Sequence, residues 1–213
     1  MHLNVHSITH GTLTNGPGKR NMLHVQGCTL KCKGCFSPHT WSTHKGRLIS
    51  VEETLKELLK GNPDGITISG GEPMQQPMAV FSLLERIRAS TSKQVADLSV
   101  LMYTGYTVDE LKQKGMYTKL SHLLDAVVAG RYDVNNHTGQ ALKGSENQQI
   151  IVFSDKHTES ELSGNDNLIE VVIDSGEVRM TGFPTKGLIK ELRTSLEGKS
   201  NVSYDKASIE DEK

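Results

Sequence analysis

Cysteine is scarce in this chain. There are three in 213 residues, and all of them lie between positions 28 and 35. No distant thiol remains to pair with, which argues against a secreted, disulfide-stapled scaffold. An excess of one charge sign is also missing. The 24 basic and 25 acidic residues leave a net charge of -1, so nothing in the balance favours nucleic acid or a membrane surface as a partner. No stretch approaches the roughly 18 apolar residues that a membrane span needs. The opening "MHLNVHSITHGTLTNGPGKR" lacks the charged-then-apolar pattern of a signal peptide. The expected location is the cytoplasm. Repeats and low-complexity tracts are absent too, and 35% hydrophobic residues suit one domain with a compact core.

What is present alternates between strand and helix. "MLHVQG" (22–27) is an apolar run ending at the cysteines, a first strand. Ser50 is a good N-cap, and Glu53 completes a capping box ahead of a helix with Val51, Leu55, Leu58 and Leu59 on one face. "GITISGGEP" (65–73) reads as a buried strand running into a glycine turn, followed by a helix over 78–91. "LSVLMYTGY" (98–106) is a third strand, with Thr107 and Glu110 capping the helix after it. "LLDAVVAG" (123–130) contains a fourth strand and "QQIIVF" (148–153) is a fifth. This order implies right-handed β-α-β units and a mainly parallel sheet. Residues 154–167 are polar and read as a surface loop. Two β-rich arms flank "DSG" (174–176) and predict a hairpin. "KGLIKELRTSLEG" predicts a last short helix, and the polar tail from Lys199 is expected to fray.

The cysteines are spaced C-x3-C-x2-C in the loop after the first strand. Iron–sulfur clusters usually take four thiolates. Three leave one iron without a protein thiolate, where a small molecule can bind. Zinc is a competing reading, with His24, His39 or His44 as fourth ligand. A thiol redox pair is another, and free buried thiols are the plainest. "SGGEP" (69–73) sits one β-α unit downstream. Its two glycines let backbone approach a ligand closely, and Glu72 offers a carboxylate to an ammonium group. A plain tight turn explains it equally well. In a parallel sheet, loops after consecutive strands gather at one edge, so the cysteine loop and the glycine turn should face each other.

C-x3-C-x2-C followed by Gly-Gly-Glu-Pro resembles the radical S-adenosylmethionine superfamily. By that resemblance Cys28, Cys32 and Cys35 ligate a [4Fe-4S] cluster. S-adenosylmethionine chelates the remaining iron, with Ser69, Gly70, Gly71 and Glu72 around its methionine part and Gly34 and Phe36 at its adenine end. The residue before the third cysteine is often aromatic in the superfamily and is Gly34 here. That difference, with "NGPG" (15–18), Gly27-Cys28, Thr40-Trp41, "YTGY" (103–106), "VVAGRY" (127–132) and "KGSENQ" (143–148), resembles the activating proteins of anaerobic ribonucleoside-triphosphate reductase. The likeness covers roughly residues 10–153. It departs at Ala129, where an acid is usual, although Asp125 keeps one at the start of that strand. The chain also runs on past Phe153.

The resemblance implies an α/β fold with a parallel sheet curved into an incomplete barrel. Residues 1–153 form the core, and 154–213 form a hairpin-and-helix extension of the same domain. It implies that a 5′-deoxyadenosyl radical takes a hydrogen from a glycine of a partner glycyl radical enzyme, with a flavodoxin or ferredoxin supplying the electron. A radical enzyme acting on a small molecule or peptide is one alternative, and a non-catalytic iron–sulfur or zinc module is another. Thr104 and Gly105 either line the adenosine site or simply end a strand. Ser145 and Asn147 either meet the ribose or carboxylate or cap a loop. "NGPG" is a partner contact or a turn. Trp41, which follows the cysteine loop, reads as packing or, less often, stacking. Lys31 and Lys33 draw an acidic electron donor or are solvated loop residues.

Overall fold

The strands of the main sheet carry alternating or continuous apolar side chains that need cover on at least one face, and the chain supplies it with helices, most of them on one side of the sheet. The computed structural model describes residues 1–138, 140–164, 169–174 and 177–183, with positions 185, 187, 188, 191 and 194. The elements are β1 (His2–Thr12), β2 (Arg20–Val25), β3 (Arg47–Ser50), α1 (Val51–Leu58), β4 (Gly65–Gly70), α2 (Pro77–Arg88), α3 (Lys93–Ala96), β5 (Ser99–Thr104), α4 (Val108–Gln113), α5 (Tyr117–Leu123), β6 (Ala126–Ala129), β7 (Gln149–Val152), α6 (Glu159–Leu162), β8 (Ile169–Asp174) and β9 (Glu177–Gly182).

A seven-stranded sheet has the order β3-β1-β2-β4-β5-β6-β7. Its central strands β2, β4, β5 and β6 are parallel. Antiparallel strands flank them: β1 and β3 on one side, β7 on the other. Two of these differences from the sequence expectation have simple causes. Among the described residues of the 130–148 connection the one helical element is a 3-10 turn at Val134–Asn136, too little for a crossover, so β7 returns antiparallel. The long β1 went unread because His, Asn and Thr interrupt its alternation, and bulges shift its register on β2 between Val5 and Ser7 and between Thr9 and Thr12. The polar 154–167 stretch is not all loop. Thr158 caps the single-turn α6, and Leu162 is buried.

One core lies between the sheet and its helices. Leu23, Val25, Ile66, Ile68, Val100 and Met102 pack there on Val51, Leu58, Leu83, Leu84 and Ile87. A smaller core forms on the opposite face from Leu101, Ala126, Val128 and Ile150 with Leu142 and Leu162. That face also holds Arg20, fully buried. Its guanidinium donates to Thr67 Oγ1 (2.7 Å), Ile66 O (2.7 Å), Ser99 O (2.9 Å), Ser99 Oγ (3.2 Å) and Pro17 O (3.0 Å). Burial away from water pulls its pKa down to about 10. The bond to Pro17 gives "NGPG" its purpose. A Cβ at Gly16 would lie 2.4 Å from Leu101 Cδ1, and Asn15 O accepts from Thr67 Oγ1 (2.8 Å). The turn builds the interior at the N-terminal ends of the parallel strands.

The capping boxes divide. Thr107 and Glu110 form a complete one. At α1, Ser50 Oγ accepts from Glu53 N (3.1 Å), but the Glu53 carboxylate takes the Ser50 hydroxyl (3.3 Å), because Ser50 is itself the last residue of β3 and pairs with His2. The predicted hairpin is present as β8 and β9. Glu170 accepts from Thr12 Oγ1, Leu13 N (3.0 Å) and Thr14 Oγ1 (3.4 Å), and Asn15 Nδ2 donates to Thr181 Oγ1 (2.8 Å). The predicted last helix, as a continuous element, and the tail lie outside the described residues.

Asp125 stands at the foot of β6, away from the cysteines. It accepts from Val100 N (2.7 Å), Ser154 Oγ (2.7 Å) and Arg88 Nη2 (2.7 Å), with Lys156 Nζ at 3.3 Å. Burial alone would raise its carboxyl, but the Val100 N–H, Ser154 and Arg88 hold it below the usual range. Its acid is structural. Asp125→Asn is expected to cost about 2 kcal/mol in urea unfolding. A depressed carboxyl stabilises above the unfolded pKa, and that part is lost as pH falls through the folded one. The cost should therefore shrink at acid pH.

Candidate active site at the C-terminal rim of the sheet

The loops after β2, β4 and β5 interlock at one edge, as their order along parallel strands requires. Gly71 N donates to Val25 O (2.8 Å) and Glu72 N to Gly27 O (2.9 Å). Thr29 and Gln75 exchange two bonds, Thr29 N to Gln75 Oε1 (3.0 Å) and Gln75 Nε2 to Thr29 Oγ1 (2.8 Å). The cysteine loop thus lies directly on the glycine turn. Both glycines are forced by chain-to-chain approach. A Cβ at Gly70 would stand 2.5 Å from Val25 N, and one at Gly71 would stand 2.4 Å from Gly27 O. Gly105 closes the third side, where a Cβ would meet Leu30 Cδ1 at 2.4 Å.

Cys28 is buried, whereas Cys32 and Cys35 are partly exposed. Burial pushes the Cys28 thiol up, against amide N–H groups of Leu30 and Lys31 that favour its thiolate. Burial does the same at Cys35, whose sulfur accepts from Ser37 N at 3.4 Å. Cys35 N donates to Cys32 O (3.2 Å). Lys31, between the first two cysteines, takes a left-handed φ of 48°, a conformation that folds the loop back on itself. Among the described residues no three His, Cys, Asp or Glu side chains converge on a point where one metal ion would sit. His24 lies against Thr9 Oγ1 (3.3 Å), His39 meets His6 in a tilted ring contact at 4.7 Å between centroids, and His44 is exposed.

Glu72 departs from its expected task. It is 1% exposed, and its carboxylate accepts from Met74 N (2.8 Å), Thr104 Oγ1 (2.7 Å) and Gly105 N (2.6 Å). Burial drives its carboxyl up to about 7 against those three donors. It braces the end of β5 instead of facing out to an ammonium group. Thr104 is correspondingly buried and turned to Glu72, so it ends a strand. Ser145 is fully buried, its hydroxyl accepting from Asp133 N (3.0 Å), a loop brace. Asn147 is exposed and donates to Arg131 O (2.8 Å). Ser69 is half-buried at the end of β4, level with His24.

Gly34 has a local explanation. Its φ is +73°, and a Cβ there would come within 3.1 Å of Val134 Cγ2 and 3.4 Å of Tyr132 Cε1. The β6–β7 loop fills the space that a side chain would need. Phe36, 40% exposed, meets Tyr132 edge-to-face at 5.3 Å and His137 at 5.9 Å. Gly34→Ala is expected to destabilise by about 1 kcal/mol through φ alone. It should also displace Tyr132, which a change in near-UV circular dichroism would report.

Two participants escaped the sequence reading. Arg131, just past β6, makes a paired contact with Glu110 (Nη1 to Oε2 2.7 Å, Nη2 to Oε1 2.9 Å). The Arg131 guanidinium holds the Glu110 carboxyl down at about 2. Gln76 clamps β1 to the rim, accepting from Asn4 N (2.7 Å) and donating to Asn4 O (3.1 Å) and Gln26 O (2.9 Å). A basic residue directly after a strand end is the signal that would have found Arg131. Gln76 carries none.

Residues 14–151 match the family described as 4Fe-4S single cluster domain. The chain is 31% identical over 141 residues to the anaerobic ribonucleoside-triphosphate reductase-activating protein of Enterobacteria phage T4, covering 64% of this chain and 85% of that protein. It is 31% identical over 160 residues to the protein of the same name from Vibrio cholerae serotype O1, covering 71% and 99%. It is 34% identical over 108 residues to the pyruvate formate-lyase-activating enzyme of Clostridium pasteurianum, covering 48% and 45%.

Proposed function

Because the chain belongs to the 4Fe-4S single cluster domain family, and with its relatives to the glycyl-radical-enzyme activases of the radical S-adenosylmethionine superfamily, we propose that it installs a glycyl radical on a partner enzyme. Anaerobic ribonucleotide reductase is the partner that the relatives' names favour. Cys28, Cys32 and Cys35 would hold a [4Fe-4S] cluster. Ser69, Gly70 and Gly71 would take the methionine end of S-adenosylmethionine, with Gly34 and Phe36 at its adenine end. When bound, these groups supply a one-electron cleavage whose 5′-deoxyadenosyl radical removes a hydrogen atom from glycine.

The observation that carries the proposal is the lock between loops. Three thiols in eight residues lie on a glycine turn at the C-terminal rim. The donor set fits a group that spreads its thiolates over several irons. The protein's own work is positional. Glu72 holds Thr104 and Gly105, Gln75 holds Thr29, and Arg131 donates to Glu110 and Gly105 O just past β6. Lys31 and Lys33, exposed on the cysteine loop, suit the acidic face of a flavodoxin or ferredoxin as electron donor.

The parallel centre flanked by antiparallel strands supports an incomplete barrel with an open side for a protein partner. The contacts of Glu170 and Thr181 with residues 12–15 support 154–213 as an extension of the 1–153 core within one domain. No helix among the described residues is long and apolar enough to cross a membrane, which suits action in the cytoplasm.

The test is anaerobic reconstitution with iron and sulfide, then dithionite and S-adenosylmethionine. Formation of 5′-deoxyadenosine, and a glycyl radical signal on added partner enzyme, are the expected results. A cluster that yields no 5′-deoxyadenosine under any reductant sinks the enzyme reading. Stoichiometric zinc after anaerobic purification sinks the cluster reading.

A further inference from the structure

One ring touches three of the stretches that stand out in the sequence. Tyr132 ends "VVAGRY" and lies half-buried between the cysteine loop and the β6–β7 loop. A Cβ at Gly34, in the cysteine loop, would lie 3.4 Å from its Cε1. A Cβ at Gly144, in "KGSENQ", would lie 3.1 Å from its Cδ2 and 3.5 Å from its Cε2. Two glycines thus make room for one ring. That ring backs Phe36 edge-to-face at 5.3 Å between centroids. The tyrosine is itself well anchored. Its Oη bonds His137 Nδ1 (3.1 Å), and His137 pairs across the loop with Ser145. Gln148 Oε1 accepts from Gly144 N (2.8 Å) and Ser145 N (3.2 Å), while its Nε2 donates to Gly130 O (2.9 Å). The loop is therefore tied to the end of β6, and Tyr132 is held on both sides. Phe36 is 40% exposed and leans on this fixed support.

We infer that Tyr132 is a positioning residue: wedged between Gly34 and Gly144, it fixes the Phe36 ring in the orientation on which adenine stacks. The inference rests on Phe36 lying at the adenine end of S-adenosylmethionine, as proposed above. A flat base stacks on an aromatic face, and a face already held still loses less rotamer freedom when the base arrives. Tyr132 thus contributes to affinity through the adenine end alone and touches neither the thiols nor the methionine end.

Wild-type chain, Tyr132→Leu, Tyr132→Phe and Gly144→Ala are reconstituted anaerobically with iron and sulfide. Equilibrium dialysis then measures the dissociation constants of S-adenosylmethionine and of methionine, which keeps the amino and carboxylate groups but has no adenine. The methionine constant divided by the S-adenosylmethionine constant reads the adenosine part alone. A general loosening of the fold moves both constants and leaves that ratio in place. In Tyr132→Leu the ratio is expected to fall about tenfold at unchanged iron content. Tyr132→Phe keeps the ring and loses only the bond to His137, so its ratio should stay near wild type. Gly144→Ala presses a methyl on the ring without removing it, and its ratio should fall about threefold. An unchanged ratio in Tyr132→Leu, or an equal fall in Tyr132→Phe, overturns the inference. If Tyr132→Leu takes up no cluster, Gly144→Ala decides alone. A wild-type chain that loads its cluster but binds S-adenosylmethionine no tighter than methionine overturns the adenine assignment of Phe36 and this inference with it. A wild-type chain that takes up no cluster overturns the cluster reading itself.

Discussion

Gly71→Ala is expected to lose about 3 kcal/mol of stability and most of its capacity to take up iron and sulfide. The added Cβ would sit 2.4 Å from Gly27 O, 2.8 Å from Gly27 C and 3.1 Å from Gly27 N. All three are backbone atoms, so no rotamer change relieves the clash. Gly27 cannot retreat cheaply either. Its N–H is tied to Thr40 O, and its carbonyl accepts from Glu72 N at 2.9 Å. The methyl must therefore push the residue directly before Cys28 and break the bond that locks the two loops. Gly115→Ala is the control. Its φ is +67°, but nothing lies within 4 Å of the new Cβ, so it carries only the conformational cost of about 1 kcal/mol. Urea unfolding and iron analysis of both variants separate the effects. Equal stability of the two would mean that the loops do not pack as closely as the distances say.

That pair of glycines also marks how far the sequence could be read. The cysteine spacing, the Gly-Gly turn and their common edge were legible, because strand–loop–helix order alone puts consecutive loops at one rim. The parallel centre β2, β4, β5 and β6 was legible for the same reason. Its apolar runs are buried on both faces, or buried on one face and partnered on the other. The antiparallel flank was not. β1 mixes His, Asn, Ser and Thr with Leu3 and Val5, and its bulges break the two-residue period that a strand is recognised by. Side-chain roles were the least legible. Glu72, Thr104 and Ser145 carry polar groups at the rim, so each looked like a ligand contact from its position. Their burial assigns them to bracing, and no local pattern distinguishes a carboxylate that faces a ligand from one that faces three donors of its own chain. Gly34 inverts the case. Its smallness stood out in the sequence, but its reason, the Tyr132 ring and Val134, lies a hundred residues on.

Glu72→Gln tests the brace and carries a pH signature. Oε1 accepts from Met74 N and Thr104 Oγ1, and Oε2 from Gly105 N. An amide satisfies the two donors on the Oε1 side and turns its NH2 against the Gly105 N–H, leaving one buried backbone donor without an acceptor. The cost at pH 8 is expected to be about 2 kcal/mol. The pH dependence follows from the raised carboxyl, about 7 in the fold against 4.5. Between those values the native state keeps a proton that the unfolded chain has released, so wild-type stability falls as pH rises through the window and levels off above it. The whole effect is on the order of 3 kcal/mol. Glutamine has no such proton. The destabilisation by Glu72→Gln should accordingly be largest near pH 5 and shrink towards pH 8. Urea unfolding of both proteins across that range measures it. A difference that stays flat from pH 5 to pH 8 would show that the three donors win over burial and hold Glu72 as a carboxylate throughout. Gly105 is freed by the substitution while the cysteine loop keeps its Gly27–Glu72 backbone bond. Iron content should therefore stay near wild type while S-adenosylmethionine affinity falls, which separates the brace from the thiol ligands.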